Sequence, residues 1–527
     1  MTKIIAYYMQ GNVLYSSTGA MKTEPPYIDC LLADSHPYTI QAFYNLDHAV
    51  SRLCKKLSEE EVKTLWSTGV LIKPPYKIKY IPKSMLTIDK GEGQGRRFTT
   101  ISDMTQYMEA PIVPNLTDDQ IREKLKSAVT VAWDVYNAMR KLNLNPKTIV
   151  NPVRTLQNDV LDKLNLSTID NLPYEAGEYA YHCSIGGWVE TIKRGWFPQV
   201  WDWDINSAYS KEVRDLVSFN EGLGVWEKVT TLPSDRTEGM MGFFRAIYDT
   251  EADLHPILST SPKTRNMTLN GKDENWLTLK KIDFVTARKL ADIKVIDGWV
   301  FTPSQIIRPL REITDRLQEK KAVSEGMDRA IIKRLMSGTW GVMLQVQKAE
   351  GSAFAPSFNS AWGAEVENNV HVEVCRFCLD NGIMPLYIMT DGVGTDVDLK
   401  IESSKEMGKW NLDAVTPALV MGSGIIALKD KVGKGAFSLH YDSLMETIKA
   451  HPEYDTIHIE ADGFVSMGEA IENKCIARLG ETETDIRAIK LNSDLKRCYI
   501  REPKNFGQLI TNTYPSIPWD VSMFLGD

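Results

Sequence analysis

Two carboxylates stand close together in residues 200–205, which read Val-Trp-Asp-Trp-Asp-Ile. This alternation is typical of a β-strand, whose successive side chains point to opposite faces, so Asp202 and Asp204 share one face and two tryptophans share the other. A carboxylate flanked by large apolar residues is costly to desolvate unless it is paired or binds a cation. The pattern therefore indicates a cation site at Asp204. The alternative is an edge strand whose polar face lies in water.

A further carboxylate follows a second strand-like run. Residues 386–393 read Leu-Tyr-Ile-Met-Thr-Asp-Gly-Val. An apolar run, an Asp-Gly pair and a further apolar residue predict a β-hairpin that holds Asp391 at its tip. Taken alone, an Asp-Gly pair in a hairpin indicates only a turn. Asp391 becomes a candidate for chemistry because of the other motifs in the chain.

Residues 303–343 have helical periodicity with a break near residues 324–326, which predicts two helices in a hairpin. Side chains four residues apart lie on one face of a helix. On the second helix this spacing aligns cationic and polar residues beside an aromatic and two small residues, namely Arg329, Lys333, Ser337, Trp340, Gly338 and Gly341. Such a face suits a triphosphate whose base lies at its far end. The alternative is a basic helix face that lies in water.

These stretches resemble, in order, motifs of family B DNA polymerases. The pattern Asp204-x-x-Ser207-Ala208-Tyr209 resembles the first palm motif of that family, Asp-x-x-Ser-Leu-Tyr-Pro. Residues 333–341 (Lys-Arg-Leu-Met-Ser-Gly-Thr-Trp-Gly) resemble the fingers motif, Lys-x-x-x-Asn-Ser-x-Tyr-Gly. Residues 387–391 resemble the last palm motif, Tyr-x-Asp-Thr-Asp-Ser, with Met389 in place of its first aspartate.

The resemblance implies a two-metal-ion site for nucleotidyl transfer. Asp204 and Asp391 would be the catalytic carboxylates that bridge two Mg²⁺ or Mn²⁺ ions, with Ile205 beside them in the metal site. In such sites two cations lie about 3.5–4 Å apart, where they activate the primer 3′-hydroxyl and neutralise the leaving pyrophosphate. Because Met389 removes one carboxylate, Asp202 on the same strand face is the candidate replacement ligand.

The resemblance also implies a nucleotide site. Lys321 matches the position of another triphosphate-contacting lysine in the protein-primed phage members, and it would act together with Arg329 and Lys333. Tyr209 resembles the steric gate that excludes a ribose 2′-hydroxyl, although a core aromatic at a helix start explains it equally well. The remaining nucleotide-binding candidates are Ser207, Ala208, Ser337 and Trp340.

Two further stretches resemble DNA-binding elements of the family. Residues 184–187 (Ser-Ile-Gly-Gly) resemble the Tyr-x-Gly-Gly element that touches the template strand, where glycine lets the backbone approach phosphates closely. Residues 497–499 (Arg-Cys-Tyr) resemble the Lys-x-Tyr primer-binding motif. A tight turn and a helix face in water are the alternatives. The DNA-binding candidates are Gly186, Gly187, Thr390, Lys496, Arg497 and Tyr499.

A basic stretch at residues 73–97 interleaves lysines and arginines with Tyr76 and Tyr80. Cations that meet phosphates and rings that stack on bases suit single-stranded nucleic acid. A loop and an edge strand that lie in water explain the same residues, so both interpretations stay open.

The N-terminal third predicts an α/β domain, since three short apolar runs before residue 44 precede a helical pattern at residues 46–57. In family B polymerases this region is a ribonuclease-H-like exonuclease whose first strand holds metal ions through Asp-x-Glu. Here no acidic residue precedes Glu24, and Asp134 stands at the last exonuclease motif with Thr130 in place of its tyrosine. We therefore expect a degenerate exonuclease domain without proofreading.

Composition limits the class of protein. Of the 527 residues, 43% are hydrophobic and 25% are charged, which is typical of an ordered globular protein. A net charge of −8 confines any nucleic-acid contact to local grooves. Among seven cysteines, Cys375 and Cys378 form the one close pair, which indicates two reduced thiols on one helix rather than a zinc site. The sequence has no signal peptide and no membrane span, so we expect a cytoplasmic protein.

The predicted fold class is α/β (α+β), a right-hand polymerase with palm, fingers and thumb behind a degenerate ribonuclease-H-like exonuclease domain. The expected domains are that exonuclease-like domain at 1–180, the first part of the palm at 181–302, the fingers hairpin at 303–345, the second part of the palm at 346–438 and the thumb at 439–527.

We expect a template-directed DNA polymerase of viral or plasmid type, which adds dNTPs to a primer 3′-hydroxyl in the host cytoplasm and lacks proofreading. Its expected partners are primer-template DNA, dNTPs and replication accessory proteins, with no membrane. The short interval between Lys333 and Asp391 leaves little room for the extra loop of protein-primed enzymes. The alternatives are a catalytically inactive polymerase-like protein that binds DNA, motivated by Met389, and a primase-polymerase that starts chains de novo.

Overall fold

The computed structural model describes residues 3–10, 13–18, 21–22, 39–43, 46–82, 85–89, 96–100, 116–146, 152–248, 256–258, 275–344, 358–430, 434–435, 440–491, 493–501, 506–508 and 516–519. Within these residues the chain forms two large sheets, a four-stranded sheet and two isolated strand pairs. Helices pack against both large sheets, so the fold mixes helices and strands, as the sequence predicted.

The first large sheet, called the N-terminal sheet, has eight strands. They are β1 (Lys3–Gln10), β2 (Val13–Ser16), β3 (Met21–Lys22), β4 (Thr39–Phe43), β5 (Val70–Lys73), β6 (Tyr76–Ile81), β7 (Met85–Asp89) and β8 (Arg96–Thr100). Their order is β3-β2-β1-β4-β8-β7-β6-β5, with β1 parallel to β4 and antiparallel to β2. β1 therefore lies inside the sheet, paired on both sides.

Helices pack on both faces of the N-terminal sheet. The first five helices in the described part of the chain are α1 (Leu46–Leu53), α2 (Glu59–Thr68), α3 (Asp118–Lys141), α4 (Pro152–Asp159) and α5 (Tyr174–Cys183). Neighbouring residues of β1 face opposite sides, so Ile5 shares a core with α1 and Ala6 shares a core with α3. α3 begins after Thr117, whose side chain forms a reciprocal capping box with Gln120.

The second large sheet, called the central sheet, has seven strands and carries Asp204. The next strands along the chain are β9 (Val189–Thr191), β10 (Gly195–Ile205), β11 (Gly224–Val229), β12 (Met241–Tyr248), β13 (Asn275–Thr278), β14 (Ile293–Pro303), β15 (Tyr387–Met389), β16 (Gly392–Thr395), β17 (Trp410–Gly422), β18 (Ile425–Leu428) and β19 (Lys434–Gly435). The central sheet has the order β19-β18-β17-β10-β16-β15-β9, and the four-stranded sheet has the order β11-β14-β12-β13. β10 is therefore the middle strand, and the edge-strand alternative is wrong.

Five helices accompany these two sheets. They are α6 (Ala208–Asp215), α7 (Leu279–Ala287), α8 (Arg311–Val323), α9 (Gly326–Met343) and α10 (Ser360–Asp380). α8 and α9 are the two helices predicted for residues 303–343. Ion pairs between Arg214 and Asp315 and between Arg311 and Asp215 join α8 to α6, the helix that directly follows β10. No described helix combines the length and the apolar composition needed to cross a bilayer.

The C-terminal part connects the two large sheets. It contains α11 (Tyr441–Ala450), β20 (Thr456–Phe464), α12 (Met467–Glu472), β21 (Thr482–Lys490), β22 (Ser493–Tyr499) and β23 (Ser516–Trp519). β20 and β21 pair antiparallel along their length. At one end Ile457 and Ile489 pack with Leu419 of β17, and beyond the other end Met467 packs into the core of the N-terminal sheet.

Candidate functional site

The two candidate catalytic carboxylates lie at the meeting point of adjacent strands. β10 runs antiparallel to β16, and Asp204 stands opposite Gly392, the residue that follows Asp391. The backbone N–H of Ile205 donates a hydrogen bond to the carbonyl oxygen of Asp391 at 3.0 Å. Both aspartates are partly exposed. The strand pairing thus brings Asp204 and Asp391 together at an accessible end of the central sheet.

The turn that carries Asp391 has an uncommon conformation. Its tip consists of Thr390 and Asp391, whereas the sequence pattern placed an Asp-Gly pair there, because Gly392 already belongs to β16. Thr390 has a φ of 59°, which is strained for a β-branched residue. Its N–H donates to the carbonyl oxygen of Trp188 at 2.6 Å, and its hydroxyl donates to Asp391 Oδ1 at 2.7 Å. These contacts hold the strained turn from two sides.

Asp202 has a different environment from Asp204, although both lie on one face of β10. Asp202 is fully buried, and the Tyr387 hydroxyl donates a hydrogen bond to its Oδ1 at 2.9 Å. Tyr387 lies across Gly394, where an added Cβ would stand 2.2 Å from the ring. Burial, and then the charge of Asp202, raises the pKa of Tyr387. The role of Asp202 as a replacement metal ligand stays a prediction that this burial does not favour.

The donor set at the strand ends fits a divalent cation through two carboxylates. Carboxylate oxygens are ligands that Mg²⁺ and Mn²⁺ prefer, and Mg²⁺ usually takes water or phosphate oxygens at its remaining positions. Met389 stands opposite Gly392, in the cross-strand row of Asp204, and offers no oxygen ligand from its side chain. In the described part of the chain, no group of three or more His, Cys, Asp or Glu side chains is arranged to hold a metal.

A buried lysine joins the helical hairpin to the end of β10. Lys321 of α8 is buried, and its Nζ donates to Ser207 Oγ at 2.6 Å and to Asn206 Oδ1 at 3.1 Å. Ser207 has a φ of 56° and is the N-cap of α6, and Ala208 is the first helical residue. The chain therefore passes from strand to helix at Ser207, and Lys321 hydrogen-bonds directly to this transition.

Three cationic side chains converge near this transition. Arg329 Nη1 donates to the carbonyl oxygen of Lys321 at 2.7 Å. Burial, and then the charges of Arg329 and Lys333, lowers the pKa of Lys321 to about 8, while the charge of Asp204 opposes this shift. Arg329, Lys333 and Ser337 are exposed along α9, so the predicted stripe forms one accessible face. Cations beside two carboxylates suit a polyanion that binds together with a divalent cation.

Two aromatic rings close one side of the site. The ring centroids of Tyr209 and Trp340 lie 4.8 Å apart, with an interplanar angle of 44°. Burial, followed by the charges of Asp391 and Glu367, raises the pKa of Tyr209. Of the two glycines predicted to leave a flat surface here, only Gly341 faces open space, since no atom lies within 4 Å of an added Cβ.

The prediction that Gly338 leaves space for a ligand is wrong. An added Cβ at Gly338 would lie 2.1 Å from Cγ2 of Val153, so this glycine allows α4 to approach α9 closely. Its small size serves helix packing rather than a ligand surface.

The glycine pair of residues 186–187 also reaches the site. An added Cβ at Gly187 would lie 2.6 Å from Cγ2 of Thr390 and 3.4 Å from the hydroxyl of Tyr209. Gly186 has a φ of 78°, and its N–H donates to Glu367 of α10. No sequence motif pointed to Glu367 or to His371, which lies one helical turn further along α10. The helix carries other polar residues, among them Glu365, Asn368 and Asn369, so no local signal distinguishes these two.

The C-terminal basic candidates cannot be placed at the site by contacts. Lys496, Arg497 and Tyr499 lie on β22, and their side chains fall outside the described part of the chain. β22 pairs with β23, so the helix-face alternative for these residues is wrong. Their DNA-binding role stays a prediction.

Other sequence candidates lie away from this site or have internal partners. Tyr80 is buried, and its hydroxyl donates to Asp47 Oδ1 at 2.6 Å, so this ring cannot stack on a base. Asp134 is exposed in the middle of α3. Cys375 and Cys378 are buried free thiols on α10, as predicted for a pair on one helix.

Comparisons with known proteins identify a shared fold but no close relative. No protein-family model matches the chain, and no curated protein sequence is significantly similar to it. Among solved structures, Phi29 DNA polymerase in an orthorhombic crystal form matches with a TM-score of 0.62 and 10% identity, over 93% of this chain and 100% of that one. The complex of that polymerase with primer-template DNA and incoming nucleotides matches with a TM-score of 0.57 and 10% identity over the same shares. Its complex with single-stranded DNA has a TM-score of 0.56 and 11% identity, over 81% of this chain and 87% of that one. The chain therefore shares the fold of this polymerase.

Proposed function

We propose that this chain is a template-directed DNA polymerase, distantly related to family B, that adds dNTPs to a primer 3′-hydroxyl and lacks proofreading. The observation that carries this proposal is the meeting of Asp204 and Asp391 beside the Lys321, Arg329 and Lys333 cations. The fold shared with Phi29 DNA polymerase supports it.

The proposed site residues have different roles in the reaction. Asp204 and Asp391 would hold two Mg²⁺ or Mn²⁺ ions, which when bound lower the pKa of the primer 3′-hydroxyl and neutralise the leaving pyrophosphate. Lys321, Arg329 and Lys333 bind the triphosphate oxygens and orient the nucleotide. Ser207 and Ala208, the latter at the N-terminus of α6, line the same nucleotide site through their backbone.

The aromatic pair and the glycines at 186 and 187 complete the proposed active site. Tyr209 and Trp340 form the wall against which the sugar and base of the nucleotide pack. Gly186 and Gly187, next to Thr390, let the backbone approach the DNA closely. In this proposal the central and four-stranded sheets are the palm, α8 and α9 are the fingers, and the segment from α11 onward is the thumb.

The N-terminal sheet is proposed as a degenerate exonuclease-like domain. Its internal strand β1 has no carboxylate, and residues Ile4 to Tyr8 are all buried apolar side chains. A strand of this kind offers no ligand to the cations that hydrolysis of DNA requires. A cytoplasmic location, replication accessory partners and a viral or plasmid origin remain parts of the proposal.

Extension of a labelled primer on a DNA template, with dNTPs and either Mg²⁺ or Mn²⁺, tests this function. We expect the parent protein to extend the primer, and Asp204→Ala and Asp391→Ala to lose roughly 1,000-fold or more of the rate, because each removes a bridging carboxylate. Asp134→Ala, which removes an exposed carboxylate of α3, is the matched control and keeps the parent rate. A reaction without dNTPs leaves the primer length unchanged if proofreading is absent.

A second candidate is a catalytically inactive polymerase-like protein that binds DNA. Met389 favours it, because this residue lies in the cross-strand row of Asp204 and removes an acid from the resembled motif. DNA binding without extension under either metal would support this candidate and contradict the main proposal. Extension that starts when the primer is omitted would identify a primase-polymerase instead.

A further inference from the structure

α10 carries two polar side chains into the protein core beneath residues 184–188. Glu367 and His371 stand one helical turn apart and are only 2% and 3% exposed. Burying such groups is unfavourable unless each finds hydrogen-bond partners. Their partners are in residues 184–188, the segment between α5 and β9, which we call the glycine loop.

Glu367 binds two donors of the glycine loop with one oxygen. Its Oε2 accepts a hydrogen bond from Ser184 Oγ at 2.7 Å and another from the Gly186 N–H at 2.9 Å. Burial raises the pKa of Glu367, and these hydrogen bonds oppose the shift. Lys281 of α7 is buried nearby, and its charge also favours the carboxylate. Glu367 thus accepts hydrogen bonds from two residues of the glycine loop and holds them together.

His371 binds the other polar group of the same glycine. Its Nε2 lies 2.9 Å from the carbonyl oxygen of Gly186. A carbonyl oxygen can only accept, so Nε2 carries the hydrogen and donates it. Burial, and then the charge of Lys281, lowers the pKa of His371 well below its usual value, so the ring is neutral. Both backbone groups of Gly186 are therefore fixed by α10.

The glycine loop in turn holds the turn of Asp391. The Trp188 carbonyl accepts from the Thr390 N–H at 2.6 Å, and Gly187 packs so closely on Thr390 that an added Cβ would lie 2.6 Å from its Cγ2. The Thr390 hydroxyl donates to Asp391 Oδ1 at 2.7 Å. A continuous path of contacts therefore runs from α10 through the glycine loop to the carboxylate.

We propose that Glu367 and His371 are positioning residues that hold the strained Thr390 turn, and with it the Asp391 carboxylate, through the glycine loop. For its effect on catalysis this inference rests on the proposed polymerase function. A residue with positive φ and a branched Cβ keeps that conformation only when its surroundings impose it. The two α10 side chains impose it because they fix both backbone groups of Gly186.

The test compares substitutions that keep or remove these hydrogen bonds. His371→Phe removes the donor to Gly186, whereas His371→Gln keeps an N–H at a similar distance. Glu367→Met removes the acceptor oxygen of both hydrogen bonds at a similar side-chain length. Ser360→Ala is the matched control, since it removes another buried hydrogen bond of α10, from Ser360 Oγ to the Gly177 carbonyl, far along the helix from the loop.

Amide hydrogen exchange followed by mass spectrometry is the first measurement, because it does not depend on polymerase activity. In His371→Phe and Glu367→Met we expect the peptide that contains Thr390 to exchange roughly tenfold faster or more, with peptides of the N-terminal sheet unchanged. His371→Gln and Ser360→Ala stay within about threefold of the parent at that peptide. The inference would be overturned if exchange at the Thr390 peptide were unchanged in the variants at both 367 and 371. An equal change in Ser360→Ala would overturn it as well.

Steady-state incorporation is the second measurement. Because a displacement of about 1 Å at a reacting group can cost 100-fold in rate, we expect kcat to fall roughly 10- to 100-fold in His371→Phe while KM for the dNTP changes less than about threefold. His371→Gln restores kcat. A rise in KM for the dNTP with kcat unchanged would overturn the positioning role. If the parent does not extend primers, the proposed function fails, and hydrogen exchange alone decides the structural inference.

Discussion

β10 of the central sheet and β1 of the N-terminal sheet occupy similar places but meet opposite demands. Both are internal strands with partners on each side. The middle residues of β1 are apolar and buried on both faces, since α1 packs against one face and α3 against the other. Near the end of β10, Asp204 is partly exposed and stands opposite Gly392 on the neighbouring strand.

The difference shows where a sheet can hold charge. Between helices a strand must present apolar side chains on both faces, because an ionised group there loses its hydration without compensation. At the end of β10 the neighbouring strand contributes glycines at 392 and 394, so the acidic face is not covered by bulky side chains of that strand. Chemistry at a central strand therefore depends on small residues beside it as much as on the acid itself.

Gly394→Ala is the strongest way to break this comparison. An added Cβ would lie 2.2 Å from the Tyr387 ring, which bonds to Asp202, so the sheet must open or the ring must move. Overpacking of this kind costs typically 1–3 kcal/mol, and we expect a loss of about 3 kcal/mol in the free energy of unfolding, because both partners are fixed. Urea denaturation followed by tryptophan fluorescence measures this loss.

Gly341→Ala is the matched control for that change. It lies within α9, where no atom approaches an added Cβ within 4 Å, and alanine is the better helix former. We expect a gain of about 0.5–1 kcal/mol. If Gly394→Ala is as well tolerated as Gly341→Ala, small residues beside β10 are not required, and the contrast with β1 fails.

The parts of the structure that sequence predicted are those with local signals. The alternation of residues 200–205 predicted β10, and the break near residue 325 predicted the hairpin of α8 and α9. In each of these elements the deciding interaction lies within a few residues, so the pattern contains it. The expectation that Asp204 and Asp391 form one site came instead from the resemblance to family B motifs.

The features that sequence missed depend on distant parts of the chain. Gly338 was assigned to a ligand surface because its contact, Val153, lies on a different helix. For Tyr80 the sequence left open both base stacking and an edge strand in water, and neither includes its hydrogen bond to Asp47. The support of Gly186 by Glu367 and His371 joins residues nearly two hundred positions apart. Pairings of this length are decided by packing, which no local pattern records.

The pH dependence of dNTP binding sharpens the comparison, because it reports the charge of Lys321, which hydrogen-bonds to residues 206 and 207 directly after β10. The pKa of Lys321 is lowered to about 8, so its positive charge is present below pH 8 and lost above it. A triphosphate favours the charged form, so above pH 8 its binding requires uptake of a proton. We expect the dissociation constant for a dNTP to rise up to about tenfold per pH unit above pH 8.

Lys321→Arg separates this titration from other effects of pH. A guanidinium stays charged throughout this range, so the variant should bind dNTP with little dependence on pH between 7 and 9.5. Fluorescence titration with a dNTP in the presence of primer-template DNA measures both proteins. Equal slopes in the parent and in Lys321→Arg would mean that Lys321 does not contact the phosphates.

Met389→Asp is the smallest and most specific test, because it adds to the central sheet the kind of residue that β1 lacks entirely. Position 389 stands opposite Gly392, in the cross-strand row of Asp204, and it is partly buried. A carboxylate there would add an oxygen ligand near the proposed metal pair, so we expect the Mg²⁺ concentration for half-maximal extension to fall about two- to fivefold. Met389→Asn has the same shape without the charge and should not lower this requirement. If both variants behave alike, position 389 lies outside the proposed metal site.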